Sequence, residues 1–344
     1  MRKVLFPLTL VYDFITRVRN KLYDAHIFKP FQFDVLTIGI GNLSVGGTGK
    51  SPHIEYLIEL LNSEYSVATL SRGYVRKSKG FQLASVEIDT RLIGDEPSMF
   101  KLKYPEMPVA VAENRVMGVA ELLGEEEDVN LILLDDVFQH RAIHPHIQIL
   151  LTKFDEPFYN DFVLPAGNLR ECRSGAKRAD IILVTKCPPN LTNEQKKEIE
   201  NRIRKYNPNT LVFFSGLAYD QLRNVFNVQS KIDADTEALV FAGIANPAVF
   251  FAEVKTRFNT KCFTYSDHYH YKLSDLEFLR KQSSASLWIC TEKDAVKLHS
   301  FKSWFENAGI TLCYLPISVC FANADFDNCL CELLRIKQLQ LNQD

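Results

Sequence analysis

The chain has 344 residues, 46% of them hydrophobic and 24% charged, with a formal net charge of −2. That balance excludes a disordered or low-complexity chain, leaves room for two domains, and gives no global pull toward nucleic acid. The eight cysteines form no C-x-x-C pair and no metal-finger spacing, so they are expected as reduced core residues rather than disulfides or zinc ligands.

Residues 4–12 (VLFPLTLVY) are apolar but too short for a bilayer span, which needs about 20 residues. A signal peptide would need a small-residue cleavage site after them, and none follows. Between residues 1 and 30 there are six basic residues (Arg2, Lys3, Arg17, Arg19, Lys21, Lys29) against Asp13 and Asp24. Leu10, Phe14, Val18 and Leu22 recur at helical spacing. An amphipathic basic helix of this kind suits an anionic membrane surface, and it equally suits packing on its own domain.

Residues 35–51 (VLTIGIGNLSVGGTGKS) read as a strand, a glycine-rich turn and Gly-Lys-Ser, followed at once by the helical pattern PHIEYLIELL. That is the context a P-loop requires. Ser44, Val45, Gly46, Gly47, Thr48, Gly49, Lys50 and Ser51 form the expected nucleotide-phosphate cradle. Its backbone amides and the helix N-terminus meet an anion, Lys50 reaches the terminal phosphates, and the Ser51 hydroxyl serves Mg²⁺. Ser44 stands where the strict motif has glycine. Residues 129–136 (VNLILLDD) form an apolar run ending in Asp135 and Asp136. A Walker B strand of a sheet covered on both faces looks like this, with a carboxylate for Mg²⁺ at its carboxyl end. A pair of capping aspartates is the simpler alternative.

Further strands are expected at 66–71, 147–152, 180–186 and 211–216, with helices at 51–62, 114–123 and 193–206. This alternation predicts an α/β fold with a doubly wound, mostly parallel sheet. Residues 217–236 read as a connection. A second, smaller α/β unit follows, with strands at 238–244, 262–266, 286–291 and 311–318, helices from Pro247 to Phe258 and near 274–283, and a last helix over 323–339. The expected division is 1–30, 31–225 and 226–344.

Eight short motifs line up in order: GNLSVGGTGKSP (41–52), LSRGY (70–74), GDEP (94–97), LDDVFQHR (134–141), LPAGNLRE (164–171), FAGIANPAVFF (241–251), SDHYHY (266–271) and TEKDAVKL (291–298). Together they resemble the bacterial tetraacyldisaccharide 4′-kinase family of lipid A biosynthesis, over the chain as far as about residue 318. The resemblance implies a monotopic enzyme on the cytoplasmic face of the inner membrane. It would use ATP and Mg²⁺ to phosphorylate the 4′-hydroxyl of a tetraacylated disaccharide 1-phosphate. Its partners would be that glycolipid and an anionic membrane, with no nucleic acid and no obligate protein.

The resemblance also assigns residues. Asp95 corresponds to a catalytic aspartate and His268 to the histidine that works with it. Ser51, Asp135 and Asp136 correspond to metal-site residues. Arg115, Arg170 and Glu171 correspond to active-site residues on the substrate side. Val137 stands where glycine is common in the family, so a turn needing φ > 0 there would be strained, and Val75 follows SRGY where the family often has glycine. Chemically, a carboxylate that accepts the sugar hydroxyl's proton helps the new P–O bond form. On local pattern alone Asp95 also suits a helix N-cap, and His270 competes with His268. Two other functions share the nucleotide features: a P-loop kinase for a soluble metabolite, and a nucleotide-driven switch acting on a protein partner. The first would not need the apolar basic N-terminus. The second usually carries an extra lysine where this chain has Val45.

Overall fold

The computed structural model describes residues 5–85, 87–226 and 237–343. Arg2 and Lys3 of the basic N-terminal segment, and residues 227–236 of the expected connection, lie outside them. The chain opens with helix α1 (Phe6–Asp24), whose proline sits in its first turn, where no backbone N–H is needed. Strand β1 (Leu36–Asn42) is buried along its whole length and leads into α2 (Lys50–Leu61). Next come β2 (Val67–Ser71), β3 (Gln82–Leu83), α3 (Thr90–Ile93), α4 (Asp95–Lys103), β4 (Val109–Val111), α5 (Arg115–Glu125) and β5 (Leu131–Asp135). Strands β6 (Ile147–Lys153) and β7 (Ile181–Thr185), helix α6 (Asn193–Arg204) and strand β8 (Leu211–Tyr219) complete the first series.

These strands build a nine-stranded sheet, ordered β14-β8-β7-β6-β1-β5-β2-β4-β3, where β14 (Ile317–Phe321) comes from the far end of the chain. All neighbours pair in parallel except β14 with β8 and β3 with β4. The apolar runs at 129–136, 147–152 and 180–186 are therefore central strands with both faces covered, as continuous hydrophobicity predicts.

A five-stranded sheet, ordered β11-β10-β12-β13-β9, is the second lobe. It contains β9 (Arg223–Asn224), β10 (Glu237–Ala242), β11 (Asn259–Thr264), β12 (Leu287–Thr291) and β13 (Thr311–Leu315), all parallel except β9. Its helices are α7 (Ala248–Arg257), α8 (Leu273–Gln282), α9 (Glu292–Leu298) and α10 (Lys302–Ala308). The core gathers around Trp288, Phe241 and Phe305.

Two expectations differ from this architecture. The run 311–318 is not one strand: it breaks at Pro316 into β13 of the small sheet and β14 of the large one. Proline has no N–H to give a ladder, and here its carbonyl accepts from Asp220 N at 3.1 Å as the chain turns. Residues 226–344 are thus not one unit. After β14, α11 (Asp325–Leu341) packs Phe326, Leu330 and Leu334 into the core of the nine-stranded sheet.

Candidate active site

The phosphate loop lies between β1 and α2, at the carboxyl edge where β1 runs between β5 and β6. Gly46, Gly47 and Gly49 all have left-handed backbone, with φ of 71°, 60° and 84°. A Cβ at Gly46 would meet nothing within 4 Å, so glycine is required there by conformation rather than by space. The loop is pinned from beneath. Asn42 Nδ2 donates to Thr48 Oγ1 at 3.0 Å, and Thr185 Oγ1 to the Thr48 carbonyl at 2.9 Å. On its outer side Val45 N donates to the Asn168 carbonyl at 2.8 Å, and Ser44 bridges to Leu169. Lys50 is the first residue of α2, and its Nζ reaches Asn42 Oδ1 at 3.4 Å and Asp136 Oδ1 at 3.6 Å.

Strand β5 delivers the acidic side. Pairing of Ile40 with Asp135 sets the two strand ends level, and the absent side chain of Gly41 lets Phe138 press on β1, since a Cβ there would come within 2.6 Å. Asp135 is buried, and its Oδ1 has no hydrogen-bond partner among the described residues. Burial, then the neighbouring Glu96, push its carboxyl up to about 7, against the pull of Lys50. Asp136 moves the other way. Burial opposes ionisation, but Arg170 and Lys50 outweigh it and bring the carboxyl down to about 2. Arg170 grips Asp136 with both amino groups, at 2.9 and 2.7 Å, and also bonds Asn42. Asp136, not Val137, carries the left-handed backbone of this turn, with φ 49°. An aspartate tolerates that region better than a β-branched residue does, so the valine at 137 meets no backbone strain. Val75 does take the strained position, at φ 65°.

Helix α4 begins at Asp95, with Gly94 as the residue before it. Asp95 is therefore in the first helical turn rather than at the cap. Its carboxylate is buried, and two side chains from the second lobe meet the same oxygen. His268 Nδ1 lies 3.0 Å from Oδ2, and Lys297 Nζ lies 3.2 Å from it. Burial pushes this carboxyl up, but His268 and then Lys297 overcome it and hold Asp95 below the ordinary carboxylate range. His268 sits in left-handed backbone, φ 56°, against the Tyr74 ring at 5.5 Å. His270 is exposed, so the structure separates the two histidines of SDHYHY. Beside Asp95, Glu96 accepts from Ser51 Oγ at 2.8 Å and pairs with Lys293 of α9.

Two predicted residues lie back from the cleft. Arg115 is buried and spends its guanidinium on the carbonyls of Ala112, at 2.7 Å, and Asp135, at 3.1 Å, bracing the end of β5. Glu171 is buried against Arg178 at 2.7 Å, Gln139 at 3.0 Å and Asn20 of α1 at 2.7 Å, so it ties α1 to the body. Asn42, Glu96, Lys293 and Lys297 were not singled out from sequence. The last two lie in TEKDAVKL, whose recurrence with the other motifs was the available signal; in isolation they read as ordinary helix lysines.

The acidic side suits Mg²⁺. A buried, unpartnered carboxylate oxygen on Asp135 and the Ser51 hydroxyl are hard oxygen donors, and Mg²⁺ normally takes only one or two protein ligands beside phosphate and water.

A family model described as tetraacyldisaccharide-1-P 4′-kinase matches residues 1–335. Curated relatives named tetraacyldisaccharide 4′-kinase include one from Flavobacterium johnsoniae, 44% identical over 327 residues, 94% of each chain. Another, from Bacteroides thetaiotaomicron, is 38% identical over 93% of this chain and 89% of its own. A solved structure, the "apo" form of LpxK from Aquifex aeolicus in complex with ATP, is 26% identical with a TM-score of 0.76 and covers 96% of this chain and 99% of that one. With the family matched across nearly the whole chain on a P-loop fold, this protein belongs to the tetraacyldisaccharide-1-P 4′-kinase family.

Proposed function

We propose that this protein transfers the γ-phosphoryl group of ATP to the 4′-hydroxyl of a tetraacylated glucosamine disaccharide 1-phosphate, giving the bis-phosphorylated lipid A precursor. The observation that carries this reading is the pairing of Asp95 with His268 across the two lobes, beside a phosphate loop. Phosphoryl transfer needs alignment and neutralisation of charge rather than covalent chemistry. Lys50 and the loop amides hold the β- and γ-phosphates. Ser51 and Asp135 would hold Mg²⁺, with Asp136 beside them; the ion would neutralise the phosphate oxygens. Asp95 accepts the proton of the 4′-hydroxyl as the acceptor oxygen bonds phosphorus and ADP leaves. His268 orients the carboxylate.

The N-terminal helix fits an acceptor that lives in a membrane. Its inner face docks by polar contacts: Thr9 Oγ1 accepts from Ala166 N at 3.0 Å, Tyr12 OH donates to the Arg170 carbonyl at 3.0 Å, and Arg19 donates to the Gln139 carbonyl at 2.8 Å. Leu8, Leu10, Val11, Phe14, Ile15 and Val18 face outward, exposed. No helix among the described residues is long and apolar enough to cross a membrane. A helix docked by its polar face with its apolar face outward suits a monotopic enzyme lying on the anionic cytoplasmic leaflet. Of the two original alternatives, the outward apolar face favours membrane contact over self-packing.

The test is to incubate purified protein with ATP, Mg²⁺ and the tetraacyldisaccharide 1-phosphate in mixed micelles. A bis-phosphorylated lipid supports the assignment. Equal turnover of a deacylated, water-soluble disaccharide 1-phosphate would favour a soluble-metabolite kinase.

A further inference from the structure

Lys297 is a lysine where lysines are rarely found. Its side chain is only 3% exposed, on the inner side of α9. Two carboxylates enclose its Nζ: Asp95 Oδ2 at 3.2 Å from the large lobe, and Asp294 Oδ1 at 3.6 Å from its own helix. Asp294 is in turn fixed by Thr291 Oγ1 at 2.6 Å and by Gly243 N at 2.9 Å, both donating to Oδ2. Removing an ammonium from water is expensive, and a position this enclosed is kept only when opposite charge surrounds it. If Lys297 served stability alone, Asp294 one turn away would suffice. Instead its shorter contact is to Asp95 in the other lobe.

We infer that Lys297 is a positioning residue for phosphoryl transfer: it clamps Oδ2 of the ionised Asp95 from the second lobe, so that Oδ1 is the oxygen that receives the acceptor's proton. The inference rests on the reading of Asp95 as proton acceptor. The contacts of both His268 and Lys297 fall on Oδ2, which leaves Oδ1 as the oxygen that neither of them takes. In the transfer step the acceptor O–H breaks, its proton passes to Oδ1, the new O–P bond forms, and the bond to ADP breaks. Lys297 takes no proton and touches no substrate.

Because His268 and Lys297 both come from the small lobe, they orient the carboxylate only while the lobes are in contact. Lys103 of α4 reinforces that contact, reaching Glu55 at 2.5 Å and Glu292 of α9 at 3.5 Å. The other charged groups around Asp95 are Asp267, 3.9 Å from His268 Nε2, Glu96 on its own helix, and Lys293 and Asp294 on α9.

The experiment is a kcat–pH profile of the full-length protein carrying Lys297→Met, read against wild type in the same lipid micelles. Loss of a cation at this distance moves a carboxylate upward by about one to three units, so the acid limb should shift to higher pH by at least about one unit. In addition, kcat should fall ~10-fold or more while the KM for ATP holds. An acid limb coincident with wild type overturns the inference. Should Lys297→Met fail to fold, Lys297→Met/Asp294→Asn also neutralises the Asp294 carboxylate that loses its partner, and its acid limb is read by the same criterion. Asp95→Asn is the control: wild-type turnover there would refute the proton-acceptor reading itself, separately from the role of Lys297.

Discussion

Replacing Leu10, Val11 and Phe14 together with serine should detach the protein from membranes while leaving its nucleotide site intact. These side chains are 58%, 59% and 69% exposed on one face of α1. Full burial of such a side chain contributes roughly 1.5–3 kcal/mol, so each can contribute about 1–2 kcal/mol when that face enters lipid. Together they account for about 3–6 kcal/mol, a ~10²–10⁴-fold change in partition. The helix itself should stay docked, because Thr9, Tyr12 and Asn20 hold it by its other face. Sedimentation with anionic vesicles at fixed ionic strength measures the partition, and nucleotide titration checks that the Kd for ATP is unchanged. A fall of less than ~5-fold would refute the membrane role of this face and move the anchor elsewhere.

Lys50→Ala should lower kcat by orders of magnitude in a folded protein, since the proposed mechanism places Lys50 on the phosphates; near-normal turnover would remove the P-loop assignment. Glu171→Ala strands the guanidinium of Arg178 and frees Asn20 of α1, and should cost about 3 kcal/mol in a denaturant melt with ATP affinity unchanged. If stability holds and only the KM for lipid rises, Glu171 contacts substrate rather than structure. Val75→Gly relieves a β-branched residue at φ 65° and should stabilise the protein by about 1 kcal/mol, seen as a Tm rise of about 1–2 °C.

The parts of this molecule legible in its sequence are those where local pattern and final environment agree. The strand before the phosphate loop and the apolar run into Asp135 are hydrophobic because both sheet faces are covered, and the glycines at 46, 47 and 49 mark backbone no other residue adopts readily. The return of β14 to the large sheet was hidden because Pro316 lies inside one apolar run, and nothing local tells which sheet receives its second half. Val137 drew suspicion that belonged one residue earlier, because the sign of φ at a turn depends on how the chain leaves the strand. Lys293 and Lys297 were missed for a related reason. A lysine in a short helix reads as solvated until another lobe brings a buried carboxylate to it, and the contact from Lys297 to Asp95 spans about two hundred residues of chain. Arg115 and Glu171 were recognised as important, yet the structure uses them to brace β5 and α1.

The central claim is that Asp95 and His268, brought together from separate lobes, act as one catalytic unit. The most direct measurement is a double-mutant cycle of Asp95→Asn and His268→Ala, with kcat determined for all four proteins at saturating ATP and lipid. Asp95→Asn should lower kcat by ~10²-fold or more with little change in the Kd for ATP, and His268→Ala should cost less. The double variant should lose clearly less than the product of the single losses. Fully multiplicative losses would contradict a paired site, and a silent His268→Ala beside a defective His270→Ala would show that the wrong histidine had been placed at Asp95.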